Sequence, residues 1–342
     1  MKTSQFGFGI VGTGMIAGVV ADALAKSKNS RLVAVSSRQL ENAQKFVANR
    51  TGAAAVEGVE ALLARPEVDA VYIATPTVAK EAIALAAVAA GKHILVDKPF
   101  LNQASVRRMV EAAAARGLLF MDATHFVHHP RTGIIQAVGR QSLGEPRSLH
   151  TAFYFPFSDR TNIRFLPSQE PMTALGDMAW YSMRAIVEYL RPQGAISKVM
   201  ASAELDEVTG GIIRVSGALA FATGEVSTFD VGYTAGTILM DFQLLGTSGV
   251  IGMDDFVLDW HGSFSFQNPD IATGYTHRTG MATRKEIKFI ETPAQTPQEV
   301  AMVENFAELA RTPGEPARKT AFAAASIKTQ ELVDAIWNAA NE

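Results

Sequence analysis

The sequence of 342 residues contains no cysteine. This absence excludes disulfides, zinc–thiolate sites, iron–sulfur clusters and thiol nucleophiles. Long hydrophobic runs are also missing, since the longest one, Ala82–Ala90, is far below the roughly 18 residues that span a bilayer. The first residues lack a hydrophobic core long enough for a secretion signal. We therefore expect a cytoplasmic protein with no membrane partner.

Charge is sparse and nearly balanced. Lys and Arg number 31 against 34 Asp and Glu, which gives a formal net charge of -3, and charged residues make up 19% against 48% hydrophobic residues. This composition excludes a disordered acidic or basic chain. No basic run is longer than a pair, so nucleic acid is not an expected partner. The length predicts two domains.

The first 120 residues alternate short apolar runs with longer Ala-rich stretches, a pattern typical of βαβ units with a buried parallel sheet. Five such strands, with right-handed crossovers, predict a doubly wound Rossmann sheet. The predicted strands are Phe6–Val11, Leu32–Ser36, Ala70–Ala74, His93–Val96 and Leu118–Met121. The predicted helices are Ile16–Ala25, Leu40–Thr51, Lys80–Ala90 and Gln103–Arg116.

Beyond Asp122 the hydrophobic pattern changes to period-2 alternation, which predicts a second, α+β domain with a large open, mostly antiparallel sheet. Its predicted strands are Ser148–Phe155, Ser197–Glu204, Ile212–Ala222, Gly224–Val231 and Ile238–Leu245, and its helices are Leu175–Leu190, Pro297–Arg311 and Thr320–Ala340. We assign residues 1–122 to the first domain and residues 123–342 to the second. A tight junction between them predicts a cleft there.

A glycine loop follows the first predicted strand. It has the G-x-G-x-x-A form of the dinucleotide fingerprint, ending at Ala17. The first glycine permits the tight turn, the second lets the backbone approach the pyrophosphate, and the small third residue lets the helix pack close. The predicted cofactor contacts of this loop are Gly12, Thr13, Gly14, Met15 and Ile16.

The end of the second strand indicates which dinucleotide is bound. An NAD site normally carries an acid here to bind the ribose, but no acid occurs from Ala23 to Leu40. Ser37 and Arg38 instead offer a hydroxyl and a guanidinium suited to a 2′-phosphate. We therefore expect NADP in preference to NAD, the alternative being that Arg38 is only a solvated surface residue.

Two more loops follow strands at the same predicted sheet edge, where ligands bind in open α/β sheets. Thr75 and Pro76 follow the third strand, and Asp97 and Lys98 follow the fourth. A lysine in this position can hydrogen-bond a substrate oxygen and stabilise the charge that develops there during hydride transfer. We therefore predict Lys98 as a catalytic residue.

Several stretches in the same order resemble the glucose–fructose oxidoreductase and inositol dehydrogenase family (Gfo/Idh/MocA). They are GIVGTGMIA, VSSR, VDAVYIATPT, AAGKHILVDKPF, GLLFMDATHFVHHPR, LGEPRSL and ALGDMAWYSMRAI, with GTSGVIGMDDF as a later echo. The resemblance implies an NAD(P)-dependent oxidoreductase that acts on CH–OH groups of sugars or polyols. It also implies oligomers built through the second sheet, so we expect a homodimer or homotetramer.

The resemblance transfers roles to individual residues. The Glu-Lys-Pro motif of the family falls on Asp97-Lys98-Pro99, with a carboxylate one methylene shorter. The histidine of the Thr-Pro-x-x-x-His motif is replaced by Lys80, so no histidine role is carried to that position.

In the second domain the Asp-x-x-x-Tyr pattern of the family falls on Asp177 and Tyr181, which a regular helix would place on one face. Tyr181 can donate a proton to a nascent alkoxide if Lys98 lowers its pKa, with Asp177 as the orienting group. Otherwise Tyr181 is a half-buried helix aromatic. Arg164 occupies a position where several relatives hold an arginine that contacts cofactor or substrate.

The cluster of His125, His128 and His129 invites a metal interpretation. His-x-x-His without cysteine or a placed carboxylate is a weak zinc signal, so we expect no metal and favour a substrate-side or structural role for these histidines.

The combined prediction is hydride transfer between NADP and a secondary alcohol or ketone of a sugar-like or polyol substrate. Lys98 and Tyr181 would share the proton transfer. Two alternatives remain open at this point: glycoside cleavage through a transient oxidation that recycles the cofactor, and a nonenzymatic dinucleotide sensor.

Overall fold

The computed structural model describes residues 5–263, 266–312 and 316–341. The chain forms two compact units, one of Met1–His125 with Glu299–Ile327 and one of Phe126–Gln298 with Lys328–Glu342. Each unit contains one sheet, and the predicted fold class is confirmed. Within the described part of the chain, every helix is too short or too polar to cross a bilayer.

The first unit contains a six-stranded parallel sheet with the order β3-β2-β1-β4-β5-β6. The strands are β1 Phe6–Val11, β2 Ser30–Ser37, β3 Ala54–Glu57, β4 Ala70–Ile73, β5 His93–Val96 and β6 Phe120–Asp122. The helices are α1 Met15–Lys26, α2 Leu40–Val47, α3 Val59–Leu63, α4 Thr77–Ala89 and α5 Gln103–Ala115. Because the strand order reverses between β1 and β4, the loops after these two strands flank the topological switch point, where dinucleotides bind.

The prediction of five strands missed β3 and the short helix α3. The β3 segment, AAVE, has four residues, of which two are alanines with low strand propensity. Its pairing with β2 supplies the stabilisation that its own sequence lacks, and it aligns Glu57 with Ser37.

The second unit contains an eight-stranded sheet with the order β14-β13-β12-β11-β7-β10-β9-β8. The strands are β7 Pro146–Tyr154, β8 Ile196–Leu205, β9 Ile212–Phe221, β10 Val226–Gly232, β11 Leu239–Gly246, β12 Val250–Met253, β13 Gly274–Arg278 and β14 Lys288–Glu291. Neighbouring strands are antiparallel except for β7 and β10, which run parallel. Five of these strands were predicted from the sequence, and the short strands β12, β13 and β14 were not.

The two faces of this sheet differ in burial. On β9 and β10 the residues Val215, Leu219, Phe229 and Val231 are fully or almost fully buried. The residues that alternate with them, such as Ser216, Ala218, Thr228 and Asp230, are only half-buried. The period-2 pattern in the sequence therefore reports one covered face and one open face, as predicted.

Helical segments of the second unit come before and after β7. The short helices α6 Pro130–Ile134 and α7 Arg140–Leu143 are joined by a π-helical turn at Ile135–Gly139, and a 3-10 turn lies at His125–His128. Further 3-10 turns lie at Ile163–Phe165 and Arg284–Glu286. The predicted helix over 175–190 is present, but it consists of a π-helical turn Leu175–Ala179, the α-helix α8 Trp180–Ala185 and a second π-helical turn Ile186–Leu190. It ends at Arg191, in the left-handed conformation, before Pro192.

The last two helices are α9 Gln298–Arg311 and α10 Pro316–Ala340. Buried residues of α9 join the hydrophobic core of the first sheet, where the ring of Phe306 lies 5.5 Å from that of Phe8 and 6.3 Å from that of Phe6. A segment about 300 residues after β1 in the sequence thus helps to complete the core of the first unit.

Candidate functional site

The loop after β1 is built around Gly12, whose backbone φ is +113°. A Cβ at this position would lie 2.6 Å from the carbonyl oxygen of Ala74, so neither the backbone conformation nor the available space admits a side chain. The amide of Gly12 donates a hydrogen bond of 2.9 Å to the carbonyl of Ser36, and the amide of Ala74 donates one of 2.9 Å to Val11. The loop is therefore fixed to β2 and β4 on both sides.

The start of α1 is open to a ligand. Its N-cap residue is Gly14, which has no side chain to cap the first turn, and no heavy atom lies within 4 Å of where a Cβ would be. Met15, in the first turn, is 60% exposed. Backbone N–H groups at such a helix start attract phosphate through hydrogen bonds and the helix dipole.

At the end of β2 the three polar residues are not equivalent. The hydroxyl of Ser36 donates a hydrogen bond of 2.7 Å to the carbonyl of Gly58, while Ser37 is half-buried and Arg38 is exposed. Glu57 ends β3 beside Ser37 and is also exposed. This acid was not expected near Ser37, because it lies on a strand that was not predicted from the sequence.

The loop after β4 contains a buried polar atom. The hydroxyl oxygen of Thr75 is inaccessible to solvent and has no hydrogen-bond partner among the described residues. Buried hydroxyls are normally satisfied, so this one is consistent with a ligand partner. Together with Gly12, Gly14 and the start of α1, it forms a site at this sheet edge that fits a dinucleotide.

Lys98 follows β5 at the same sheet edge. The amide of Asp97 donates a hydrogen bond of 3.0 Å to the carbonyl of Ile73 on β4, and the Lys98–Pro99 peptide bond is cis. Behind this loop lies Lys80 of α4, which is only 2% exposed. Its ammonium donates to the carbonyl oxygens of both Lys98 and Pro99, each at 2.9 Å.

In the second unit, Asp177 lies in the π-helical turn and forms an ion pair with Arg164. The guanidinium Nε of Arg164 donates to Asp177 Oδ2 at 2.8 Å, and the hydroxyl of Tyr233 donates to the same oxygen at 3.2 Å. Burial, with the Asp177 carboxylate as a further cause, raises the pKa of Tyr233 well above its ordinary value. Two predicted site residues therefore share one network, and Tyr233 is a member that no sequence signal identified.

Aromatic rings surround this ion pair. The guanidinium carbon of Arg164 lies 4.8 Å from the ring centroid of Phe157, which contacts Tyr233 edge-on at 5.4 Å and stacks on Phe155 at 4.9 Å. The cation–π contact and the carboxylate hold the guanidinium plane in one orientation.

Tyr181 lies on α8 and is 7% exposed. Its ring packs edge-on against Phe153 at 5.3 Å, and it lies tilted to the ring of Phe126 at 6.3 Å. The i,i+4 pair of Asp177 and Tyr181 was predicted on a regular α-helix, but it spans the change from π-helical to α-helical geometry. Such π turns inside helices are frequent at functional sites.

The three histidines lie next to one another in a buried segment. His125 and His128 belong to the 3-10 turn, and His129 caps α6 by accepting a hydrogen bond of 3.0 Å at Nδ1 from the amide of Arg131. In residues 5–263, 266–312 and 316–341 no group of three or more histidine or acidic side chains is placed to hold a metal ion. Arg131 itself is buried and pairs with Asp255, which gives this segment a structural role.

The burial of His129 predicts that the free energy of unfolding falls in acid. Burial, and next the Arg131 charge, lower the pKa of His129 from 6.5 to about 4. Between pH 6.5 and 4 the unfolded chain binds a proton that the native state does not, so the free energy of unfolding falls as pH falls, by about 3 kcal/mol at most. His129→Asn keeps a capping side chain and removes the titration. Urea unfolding at pH 7 and pH 5 should show a smaller loss for His129→Asn than for the parent protein; equal losses would contradict this assignment.

Comparison with known proteins agrees with this geometry. Residues 6–124 match the family described as "Oxidoreductase family, NAD-binding Rossmann fold" (GFO_IDH_MocA). A dTDP-3,4-didehydro-2,6-dideoxy-alpha-D-glucose 3-reductase from Streptomyces violaceoruber is 30% identical over 338 residues, which cover 93% of this chain and 90% of the relative.

Two solved structures share the fold along almost the whole chain. A 3-ketoreductase from Actinomadura kijaniata, solved with NADP and TDP-benzene, has a TM-score of 0.86 at 23% identity and covers 98% of both chains. Variants of that enzyme with a lysine replaced by alanine or a tyrosine replaced by phenylalanine have also been solved. An aldose–aldose oxidoreductase from Caulobacter crescentus, solved with glycerol, has a TM-score of 0.81 at 20% identity and covers 98% of both chains.

The full-length match to the Streptomyces reductase extends the N-terminal family match to both units. One family assignment follows from the order of the motifs in the sequence, from the glycine loop at the topological switch point and from these matches. The chain belongs to the Gfo/Idh/MocA family of NAD(P)-dependent oxidoreductases.

Proposed function

We propose that this protein is an NADP-dependent reductase or dehydrogenase whose substrate is a sugar or sugar derivative. The reacting carbon of the substrate is a ketone in one direction and a secondary alcohol in the other. The observation that carries the proposal is the phosphate cradle of Gly12, Gly14 and α1, together with the sugar reductase similar to the chain along nearly its full length. Residues 1–122 would bind the cofactor, and residues 123–342 would bind substrate.

Residues of different loops would contact different parts of the cofactor. The backbone of Gly12–Ile16 would hold the pyrophosphate, with Thr13 and Met15 flanking it, and Thr75 and Pro76 would lie beside the nicotinamide half. Asp97, Lys98 and Arg164 are the remaining proposed cofactor contacts. Arg164 would keep its ion pair with Asp177 in the complex.

Ser37 and Arg38 carry the proposed preference for NADP over NAD. A guanidinium can bind the 2′-phosphate through two charge-assisted hydrogen bonds, which the ribose hydroxyl of NAD cannot reproduce. Arg38→Ala should therefore weaken NADPH binding by about 10- to 100-fold and NADH binding by far less, because charge-assisted hydrogen bonds contribute about 1.5–3 kcal/mol. Fluorescence titration of Arg38→Ala and of the parent protein, each with NADPH and with NADH, checks this expectation. Equal weakening of both would show that Arg38 does not contact the 2′-phosphate.

Lys98 and Tyr181 carry the proposed proton chemistry. The bound nicotinamide supplies or accepts the hydride. The ammonium of Lys98 would donate a hydrogen bond to the substrate oxygen and stabilise its developing negative charge, and the hydroxyl of Tyr181 would give that oxygen its proton. Asp177, which is held by Arg164 and Tyr233, would orient the substrate.

The substrate class is tested by an absorbance panel at 340 nm. NADPH and NADH are each offered with a dTDP-linked 3-keto sugar and with free keto sugars, and NADP and NAD with aldoses and inositols. Oxidation or reduction of the cofactor by a member of the panel supports the proposal. Binding of the cofactor without turnover by any member would favour a dinucleotide sensor.

We also propose a homodimer or homotetramer assembled through the open face of the eight-stranded sheet. The strands β7 to β10 present small and hydroxyl side chains there, including Ala152, Ser216, Ala218 and Thr228, and Met200 of β8 is 58% exposed. The same face also carries the ion pair of Arg214 with Asp230 and the hydrogen bond between His150 and Thr228, so the interface would combine small side chains with polar contacts. Light scattering on the purified protein measures the mass, and a monomer would overturn this part of the proposal.

A further inference from the structure

Lys80 is a buried cation whose three donors all have acceptors. Its ammonium donates to the carbonyl oxygens of Lys98 and Pro99, each at 2.9 Å, and to the hydroxyl of Thr77 at 3.2 Å. An ammonium has three N–H donors, and burial of a charge is costly unless such partners satisfy it. An apolar side chain would fill the same space without that cost, so the charge at this position calls for an explanation.

Two of the three acceptors of Lys80, the carbonyl oxygens of Lys98 and Pro99, belong to the backbone segment that carries the Lys98 side chain. On the other side of the same segment, the amide of Asp97 donates to Ile73 on β4. The main chain at Lys98 is therefore held from two directions, by the neighbouring strand and by the ammonium of Lys80 on α4.

We propose that Lys80 is a positioning residue for Lys98. It fixes the carbonyl groups of Lys98 and Pro99, and so sets the direction in which the Lys98 side chain leaves the loop, without contacting substrate or cofactor. This inference rests on the proposed role of Lys98. Near-attack geometry is sensitive to displacements of about 1 Å, which can change the rate about 100-fold, so a loosened backbone should slow the chemical step.

The chain offers a matched control in Lys92. Its ammonium also donates to two backbone carbonyls, those of Arg65 at 2.9 Å and Val68 at 2.7 Å. Lys92 precedes β5 and therefore lies at the amino end of the strands, opposite the edge that carries Lys98. Lys92→Met removes the same kind of hydrogen bond at a place where no proposed function depends on it.

The kinetic test uses the full chain and the best substrate of the absorbance panel. Lys80→Met should lower kcat by about 10- to 100-fold and leave the Kd of NADPH within about threefold. Lys92→Met should leave both within about threefold. A double variant, Lys80→Met with Lys98→Ala, should be no slower than Lys98→Ala alone, because Lys80 acts only through Lys98. A kcat of Lys80→Met equal to that of the parent, or multiplied losses in the double variant, would overturn the proposal.

Two further measurements keep the proposal testable if Lys80→Met folds poorly. Thr77→Val removes one acceptor of Lys80 and also the hydrogen bond of 3.5 Å that the Thr77 hydroxyl donates to the carbonyl of Pro99. It should lower kcat a few-fold, again without a further loss when combined with Lys98→Ala. In apoprotein labelled with [13Cε]lysine, the Lys98 resonance should shift or broaden in Thr77→Val and in Lys80→Met but not in Lys92→Met. An unchanged Lys98 resonance in both site variants would overturn the proposal.

The outcomes also separate this inference from the proposed function. If Lys98→Ala retains full turnover, the proposed role of Lys98 fails and Lys80 has nothing to position. If Lys98→Ala is inactive while Lys80→Met turns over normally, only the positioning role fails.

Discussion

Replacing Lys98 with alanine is expected to lower kcat by about 10³-fold, the middle of the range that a positioned acid–base group contributes. Lys98 follows a buried strand at the sheet edge that also carries the Gly12 loop, and its backbone is held on both sides. Loss of the ammonium removes the cation that would face the substrate oxygen as negative charge develops. Stopped-flow measurement of the hydride step at saturating NADPH and substrate checks the expectation.

The binding of NADPH provides the control for this variant. The phosphate cradle and the 2′-phosphate residues are untouched by Lys98→Ala, so the Kd of NADPH should change by less than about tenfold, the equivalent of 1.4 kcal/mol. Turnover within a few-fold of the parent protein would remove Lys98 from the mechanism, even if the family assignment stands.

Tyr181→Phe is expected to lower kcat by about 100-fold, because it removes only the hydroxyl that would donate the proton. The ring should keep its place, since its edge-on contact with Phe153 at 5.3 Å and its contact with Phe126 do not involve the hydroxyl. The pH dependence of kcat should change as well, because a titrating donor has been deleted. Rate–pH profiles of the variant and the parent protein measure both effects.

Tyr189→Phe is a matched control within the same unit. Its hydroxyl is hydrogen-bonded to the hydroxyl of Thr132 at 3.0 Å, and burial raises the pKa of Tyr189 to about 12. Loss of this buried bond should reduce the free energy of unfolding by about 1 kcal/mol and leave kcat unchanged. A comparable fall of kcat in both tyrosine variants would indicate general damage to the unit and contradict the role of Tyr181.

Much of the fold could be predicted because hydrophobic periodicity reports which faces of an element are buried. The strands β1, β2, β4 and β5 were all found in this way, as was the long helical segment after Arg164. Periodicity did not reveal β3, which is too short and too rich in alanine. It also did not place α9, because an amphipathic helix shows that it has a buried face but not which sheet covers it.

Some residues of the candidate site could likewise be identified from the sequence pattern, and others could not. Gly12 and Gly14 were identifiable because backbone geometry at a strand-to-helix turn restricts the residue type, and the structure gives Gly12 a positive φ. Tyr233 and Lys80 were not identifiable, because their importance comes from contacts with residues far away in sequence. The replacement of a family histidine by Lys80 was visible in the sequence, but its hydrogen bonds to the Lys98 loop were not.

The proposed reaction is the transfer of hydride between NADP(H) and a carbon of a sugar substrate. The most direct test offers [4-2H]NADPH of each C4 configuration with the keto sugar that the absorbance panel selects, followed by mass spectrometry of the product. We predict that one of the two labelled cofactors, and not the other, transfers a single deuterium to the carbon that was the ketone. Release of an aglycone with no net change at 340 nm, or an unlabelled product from both cofactors, would contradict the claim.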